Sequence, residues 1–439
     1  MSWRIIVASA SLVFLLSLVL HVALHSPISP LPLALPSSSF PPNNLLKQEV
    51  STKPSVSRLQ LCSSRLCSFC KFFNYKNQQN TGSLTTKIFT DYRCFTPLLF
   101  TGSVSNCDSA VAVDKRKSSS LRAALRNSAA SSCGVEKLGE GSLILPEDIC
   151  VGKDGKLYAA TRDGWIKRMH SNGSWEDWKM IGGSSLLGLA PSLDGDIIVC
   201  DAYKGLLKVG EGGLNVLATE NKFCYKSFAD DAIEASDGSI YFSDASSKFG
   251  FDNWFLDLLE ARSNGRLLKY DPLKKKTSVV LANLSFPNGV ALSPNEDYLL
   301  VSETWKFRCL KYWLKGELKG STEVFIDNLP GGPDNINLAP DGSFWIALIQ
   351  IRSRWLDLIH KSPLAKLVMA AFPKAVELIK PMKNRAMVVN VESDGKIRRM
   401  LDDYDGGVIS TVTSALEHEG HLYLGNLRSN FIGKLPLKG

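Results

Sequence analysis

The sequence predicts an all-β fold, a six-bladed β-propeller with an N-terminal hydrophobic anchor or signal segment, and three observations carry that reading. First, one grammar recurs six times: a polar residue, a short apolar strand, an Asp-Gly-like corner, and a second strand that ends in a small or acidic residue. The copies begin at Pro146, Leu187, Ala229, Ser285, Pro333 and Val412, and Ser285 to Thr304 (SFPNGVALSPNEDYLLVSET) is the fullest. Second, each copy is two alternating apolar runs joined by residues that supply the positive φ a hairpin turn needs. Third, two more strand-like runs trail each hairpin, as FRCLKYWL and TEVFID do after Thr304. Four strands per unit, at intervals of about 40 to 60 residues, match a propeller blade rather than a solenoid coil.

The elements follow in order. Residues 1–24 carry Arg4 and then an apolar run from Ile5 to Leu24. As a helix, about 20 such residues span about 30 Å, enough to cross a bilayer. The run is an anchor or a signal peptide, and with no small-x-small cleavage pattern after it the anchor is favoured. Arg4 precedes the run and no Lys or Arg follows before Lys47, which places the downstream domain in the lumen of the secretory pathway. Residues 25–134 are Ser-, Asn- and Pro-rich, poorly periodic and strongly basic, with 13 Lys or Arg against 4 Asp or Glu. That composition predicts little order. Six of the ten cysteines fall there, but Cys62, Cys67 and Cys70 lack the second matched pair that a zinc knuckle needs.

Residues 135–439 are the propeller. Its last unit is one strand short, and Val135 to Leu138, just before the first blade, supplies the missing strand and closes the ring. The basic segment accounts for the excess of the chain's net charge of +8, and without it and Arg4 the propeller stands at −2. A nucleic-acid partner therefore has no electrostatic support. Cys150, Cys200, Cys224 and Cys309 lie in or beside strands, where buried thiols are expected, although Cys200 and Cys224 could pair in an oxidising lumen. Asn172 and Asn283 each open an Asn-x-Ser sequon, the glycan acceptor pattern.

The chemistry is sought seven residues before each corner, where the innermost strand begins beside the central channel. Those positions hold Glu147, Leu187, Asp230, Asn288, Asp334 and Val412. Four of six carry an oxygen ligand and none an imidazole or thiolate, which fits a hard cation such as Ca²⁺ better than zinc. The same side chains would also serve as caps for backbone N–H groups at strand starts. Two insertions, Ser246 to Asn264 and Ile349 to Arg385, rim the same mouth. Leu364, Leu367, Val368 and Ala371 have helical spacing, so the insertions could fold over the channel as lids, could equally be packing decoration, or the second could touch a membrane through Lys361, Lys366, Lys374, Lys380 and Lys383. His170, His360, His418 and His421 are scattered in sequence and read as turn or strand-edge residues, so no His-based nucleophile is expected.

LPEDICV, TRDGWIKR, CDAYKGLLKV, FADDAIEASDGSIYFSDAS, FPNGVALSP and GGPDNINLAPDGSFWIAL together resemble the strictosidine synthase-like proteins, from Val135 to the C-terminus. Animal adipocyte plasma membrane-associated proteins belong to that group. The resemblance implies a six-bladed propeller whose wider relatives are calcium-dependent lactonases, paraoxonases and gluconolactonases. It implies calcium ligands at Glu147, Asn288, Asp334 and Asn335, with Asp230 where an Asn is usual, and a role in the chemistry for Asp334 as base. Strictosidine synthase itself condenses tryptamine with secologanin through a Glu in the last blade, and this chain has Thr413 there. Without that carboxylate the condensation is disfavoured. The resemblance also marks roughly residues 50–132 as an insertion, such as a retained intron would leave. Three readings follow: a metal-assisted hydrolase of small esters or lactones, which is preferred, an amine-aldehyde condensing enzyme, and a propeller that binds a partner without catalysis.

Overall fold

A computed structural model describes residues 13–18, 20, 22, 24, 26–28, 135–218, 228–349, 354–372 and 384–437. They belong to one of two compact units, Met1–Ser37 with Ala112–Gly439. Cys62, Cys67, Cys70, Cys224, Lys374, Lys380, Lys383 and nearly all of the basic segment lie outside the described residues.

The described strands form six antiparallel sheets of four. Their first strands are Asp148–Val151, Leu186–Pro191, Ala229–Glu234, Pro287–Leu292, Gly332–Leu338 and Val412–His418, in blades one to six. Each first strand touches the first strand of the next blade, and blade six returns to blade one, which makes the cycle a propeller around a channel. The closing strand is Glu136–Leu138, which pairs with Ile432–Pro436 of blade six, as the sequence anticipates.

Apolar alternation along the strands becomes six buried clusters, one between each pair of neighbouring blades. Between blades four and five, for example, Phe344 is fully buried beside Tyr298 and Phe325. Cys150, Cys200 and Cys309 are free thiols inside these clusters, where burial raises all three thiol pKa values.

A seventh cluster forms a cap at the ends of the inner hairpins of blades two to five, and both insertions supply it. The first contains helix α1 (Trp254–Glu260), and the second contains α2 (Arg354–Lys361) and α3 (Pro363–Ala371). Phe255, Leu258 and Leu259 of α1 and Leu356 of α2 meet Leu187, Phe228, Phe286 and Trp305 of the blades. The Phe286 and Trp305 rings stack at 4.2 Å. Ile28 also enters this cluster, which ties the N-terminal segment to the cap. Both insertions thus carry helices that pack on the blades through this cluster. Their orientation differs from the expected stripe: Leu364 is exposed on α3, while Lys366 and Ala370 are buried with Ala371. Leu367 packs on the cluster and Ala371 is buried as the spacing suggests, so the inward face is rotated from the expected stripe rather than replaced, and Lys366 is buried with it. His360 is likewise no turn or strand-edge residue; it sits in the last turn of α2 and is buried.

Candidate active site

Five of the six inner strands begin with an irregularity that aims side chains at the channel, and blade one pairs regularly from Asp148. In blades two to six the pairing register shifts by one residue after the first pair, or in blade five after the second. Such a bulge re-aims the residues beside it. The shift brackets Leu187 and Gly188, Asp230 and Asp231, Asn288 and Gly289, and Asp334 and Asn335. In blade six it brackets Thr413, not Val412. Counting back from the corner fails there because the blade-six hairpin is shorter: His418 pairs with His421 across Glu419 and Gly420 alone, both at positive φ. In blade three, three residues separate Ala235 from Ser239. Two-residue turns of this kind favour positive φ at both central positions. Val412 is correspondingly buried in the cluster between blades five and six.

A second alternation organises the wall. Blades one, three and five place Asp148, Asp231 and Asn335 after the channel residue; blades two, four and six place Gly188, Gly289 and Ser414. Asp148 accepts from the Leu189 backbone N–H of blade two at 2.7 Å, and Asp231 accepts from the Val290 N–H of blade four at 2.8 Å. These acids therefore staple one blade to the next. The glycines serve the opposite joints: a Cβ on Gly188 would lie 2.6 Å from the Asp230 carbonyl oxygen, and one on Gly289 would lie 2.5 Å from that of Asp334. No side chain fits in either place. Backbone capping, the alternative role weighed for the ring, is thus real but belongs to Asp148 and Asp231.

Glu147, Asp230, Asn288, Asp334 and Asn335 are all buried. Burial raises the Glu147 carboxyl well above its usual range, with Arg162 opposing and Asp334, Asp148 and Asp230 adding to the rise. Burial pushes Asp230 up to about 7, again against Arg162. Asp334 is raised by burial and by the Asp230 charge, while Arg162 and a hydrogen bond from the Asn288 side chain oppose the shift. Asp148 is pushed up to about 6 by burial, with bonds from Ser414, Leu189 and Ile149 opposing. These carboxylates repel one another in a poorly solvated space, so they cannot all ionise near neutral pH without a cation. Arg162 approaches them from the turn after the second strand of blade one, held by its bond to the Ser184 carbonyl oxygen and by the face of Phe251. Nothing in the repeat grammar singles it out, and sequence reasoning missed it.

Several ring atoms are buried without a hydrogen-bond partner: Glu147 Oε2, Asn288 Oδ1, and both Oδ1 and Nδ2 of Asn335. Orphaned oxygens in a buried acidic ring suit a hard, oxygen-preferring cation. Among the described residues no three His, Cys, Asp or Glu side chains converge to hold a metal by themselves. The fit therefore depends on the amides of Asn288 and Asn335, which supply neutral oxygens beside Glu147 and Asp334. Thr413 is fully buried, and its hydroxyl donates to the Glu147 carbonyl oxygen at 2.6 Å. Leu187 is the apolar gap in the ring, where the cap cluster reaches the channel wall.

Of the glycan acceptors, Asn172 lies exposed in a turn, with Oδ1 accepting from the Ser174 N–H and hydroxyl. Asn283 lies exposed near the end of the outer strand Lys276–Leu284, at φ 60°.

The family profile described as strictosidine synthase matches residues 231–317, and that described as strictosidine synthase-like, N-terminal, matches residues 134–169. Protein strictosidine synthase-like 4 of Arabidopsis thaliana is 39% identical over 313 residues, covering 69% of this chain and 82% of its own. The adipocyte plasma membrane-associated protein of Mus musculus is 36% identical over 325 residues, covering 69% and 78%. Among solved structures, a gluconolactonase from Xanthomonas campestris overlays with a TM-score of 0.51 at 15% identity, over 70% of this chain and 91% of that one. That overlay is a likeness of fold.

Proposed function

The chain belongs to the strictosidine synthase-like family, and on that premise we propose that it is a metal-assisted hydrolase of small esters or lactones, with Asp334 as base. One observation carries the reading: a buried ring of carboxylates and amides, at one end of the channel, with orphaned oxygens on Glu147, Asn288 and Asn335. Glu147, Asn288, Asp334 and Asn335 would hold the cation, with Asp230 beside them. When bound, a cation such as Ca²⁺ polarises a carbonyl as a Lewis acid. The protein's own part is proton transfer and exclusion of water. Asp334, its pKa raised by burial and by the Asp230 charge and its carboxyl oriented by Asn288, takes a proton from the water whose oxygen attacks the carbonyl carbon. The carbon–oxygen bond to the leaving alcohol breaks, and that oxygen receives the proton. Arg162 offsets the negative charge that gathers at the mouth, and the aromatic cap keeps bulk water away.

Amine-aldehyde condensation fits this site less well. Thr413 has no carboxylate, and its hydroxyl is already committed to the Glu147 carbonyl oxygen. The propeller is further proposed to reside in the lumen of the secretory pathway, associated with a membrane. A relative's name includes plasma membrane-associated, and Val13, Phe14, Leu16 and Leu20 of the N-terminal helix are exposed apolar residues. Among the described residues no helix is long and apolar enough to cross a membrane.

The test is a screen of aryl esters, lactones and the tryptamine–secologanin pair, with added Ca²⁺ or with chelator. Slow ester or lactone hydrolysis is expected, lost with chelator and reduced at least ~10²-fold by Asp334→Asn. Hydrolysis indifferent to both would remove the mechanism, and silence on every substrate would favour a binding propeller.

A further inference from the structure

The cap buries two basic side chains that the proposed hydrolysis does not use. Lys366 of α3 is 3% exposed and His360 of α2 is 7% exposed. Neither the Lys366 ammonium nor either ring nitrogen of His360 has a hydrogen-bond partner. The two helices pack together, and the Lys366 charge acts on His360. Glu260 of α1 is the acid that acts on Lys366, but it already receives the Lys248 ammonium at 2.6 Å and the Asn264 amide. Among the described residues Lys366 has no ion-pair partner.

An ammonium buried without an acceptor is strongly unfavourable unless it sheds its proton or gains an anion. Burial indeed lowers the pKa of Lys366 and lowers His360 to about 4. Glu260, the acid that acts on Lys366, is already engaged by Lys248 and Asn264, and among the described residues the three helices otherwise contribute apolar side chains: Leu259, Leu356, Ile359, Leu367 and Met369 join one cluster with Trp305. A buried cation beside a second N–H donor, enclosed by aliphatic side chains, matches a ligand with an anionic head and a hydrocarbon body.

We propose that the cap holds a second site, in which Lys366 and His360 receive the carboxylate or phosphate head of an amphiphile whose hydrocarbon chain lies among α1, α2 and α3. The site rests on its own residues, not on the hydrolase reading, and direct binding tests it whatever the catalytic outcome.

The experiment titrates the purified full chain with decanoate, decyl phosphate and decan-1-ol. Calorimetry is the readout, supported by tryptophan fluorescence, because Trp254 and Trp305 border the cluster. At least one of the two anions is expected to bind at least tenfold more tightly than decan-1-ol. Lys366→Met should weaken that binding at least tenfold and raise the thermal midpoint of the ligand-free protein, since it replaces an unpaired charge by an apolar chain of similar length. His360→Gln, which keeps an N–H donor, should weaken binding less than His360→Leu. Equal binding of the alcohol and the anions, binding unaffected by Lys366→Met, or a lowered midpoint in that variant would each overturn the proposal. If Lys366→Met does not fold, the His360 pair and the anion-to-alcohol ratio of the wild type decide it.

Discussion

Two regions of this molecule bury carboxylates, and they treat them differently. In the cap, Asp257 is fully enclosed, yet its oxygens are served: Ser246 at 2.7 Å and Asn264 at 3.0 Å on Oδ2, and the Trp305 indole N–H at 3.0 Å on Oδ1. In the channel, Glu147 Oε2 and the oxygens of Asn288 and Asn335 face no donor. Both environments raise pKa values, with Asp257 pushed up to about 6. The contrast teaches that burial alone does not identify a functional acid. A buried acid with its partners in place holds structure together, whereas buried acids left unsatisfied and close to one another reserve room for something else.

The contrast can be broken by mutation. Asp257→Ala should cause the largest loss of stability, about 3 kcal/mol in urea unfolding, because it strands the buried Ser246 hydroxyl and Trp305 indole N–H at once and removes a partner of Asn264. If it proves as mild as a surface change, the satisfied-acid reading of the cap fails. Next in size is a pH effect in the channel. Asp230 and Asp148 hold protons in the folded protein that the unfolded chain releases between about pH 4 and their raised values of about 7 and 6. Their contribution to stability is therefore greatest in acid and is lost as pH rises through that window. The thermal midpoint of chelated protein should fall by a few degrees over that range relative to Asp230→Asn, and added Ca²⁺ should remove the difference. Identical profiles for wild type and variant would show that the ring acids do not govern stability. The smallest effect expected is at Thr413→Ala, which removes one hydrogen bond between blades six and one. About 1 kcal/mol should be lost, with hydrolysis nearly unchanged. A collapse of activity would instead give Thr413 a part in the chemistry.

The architecture was legible because each blade repeats the same period-two pattern and the same turn chemistry, down to the closing strand at Glu136–Leu138. The ring was legible in four blades for the same reason. It slipped in the sixth because Glu419 and Gly420 make a shorter turn, a one-residue change that moves every position counted from it. The stapling acids had a signal that went unused: Glu147-Asp148, Asp230-Asp231 and Asp334-Asn335 repeat a polar pair in alternate blades. Arg162, Lys366 and His360 had none. Arg162 reaches the ring from a turn, and the inward face of α3 is set by how the cap docks, which helical periodicity does not specify.

The closing strand has a consequence for how the protein is made. Glu136 pairs with Lys434, so the first strand of the domain to leave the ribosome is joined to the last. At about 5 to 20 residues per second, roughly 15 to 60 s separate the two during synthesis. Through that interval the edge of Glu136–Leu138 has no mate, and blade one can dock on blade two but not on blade six. Chains interrupted before Ile432 would therefore carry one unsealed seam, and quality control in the cell would meet the nascent propeller as an open ring.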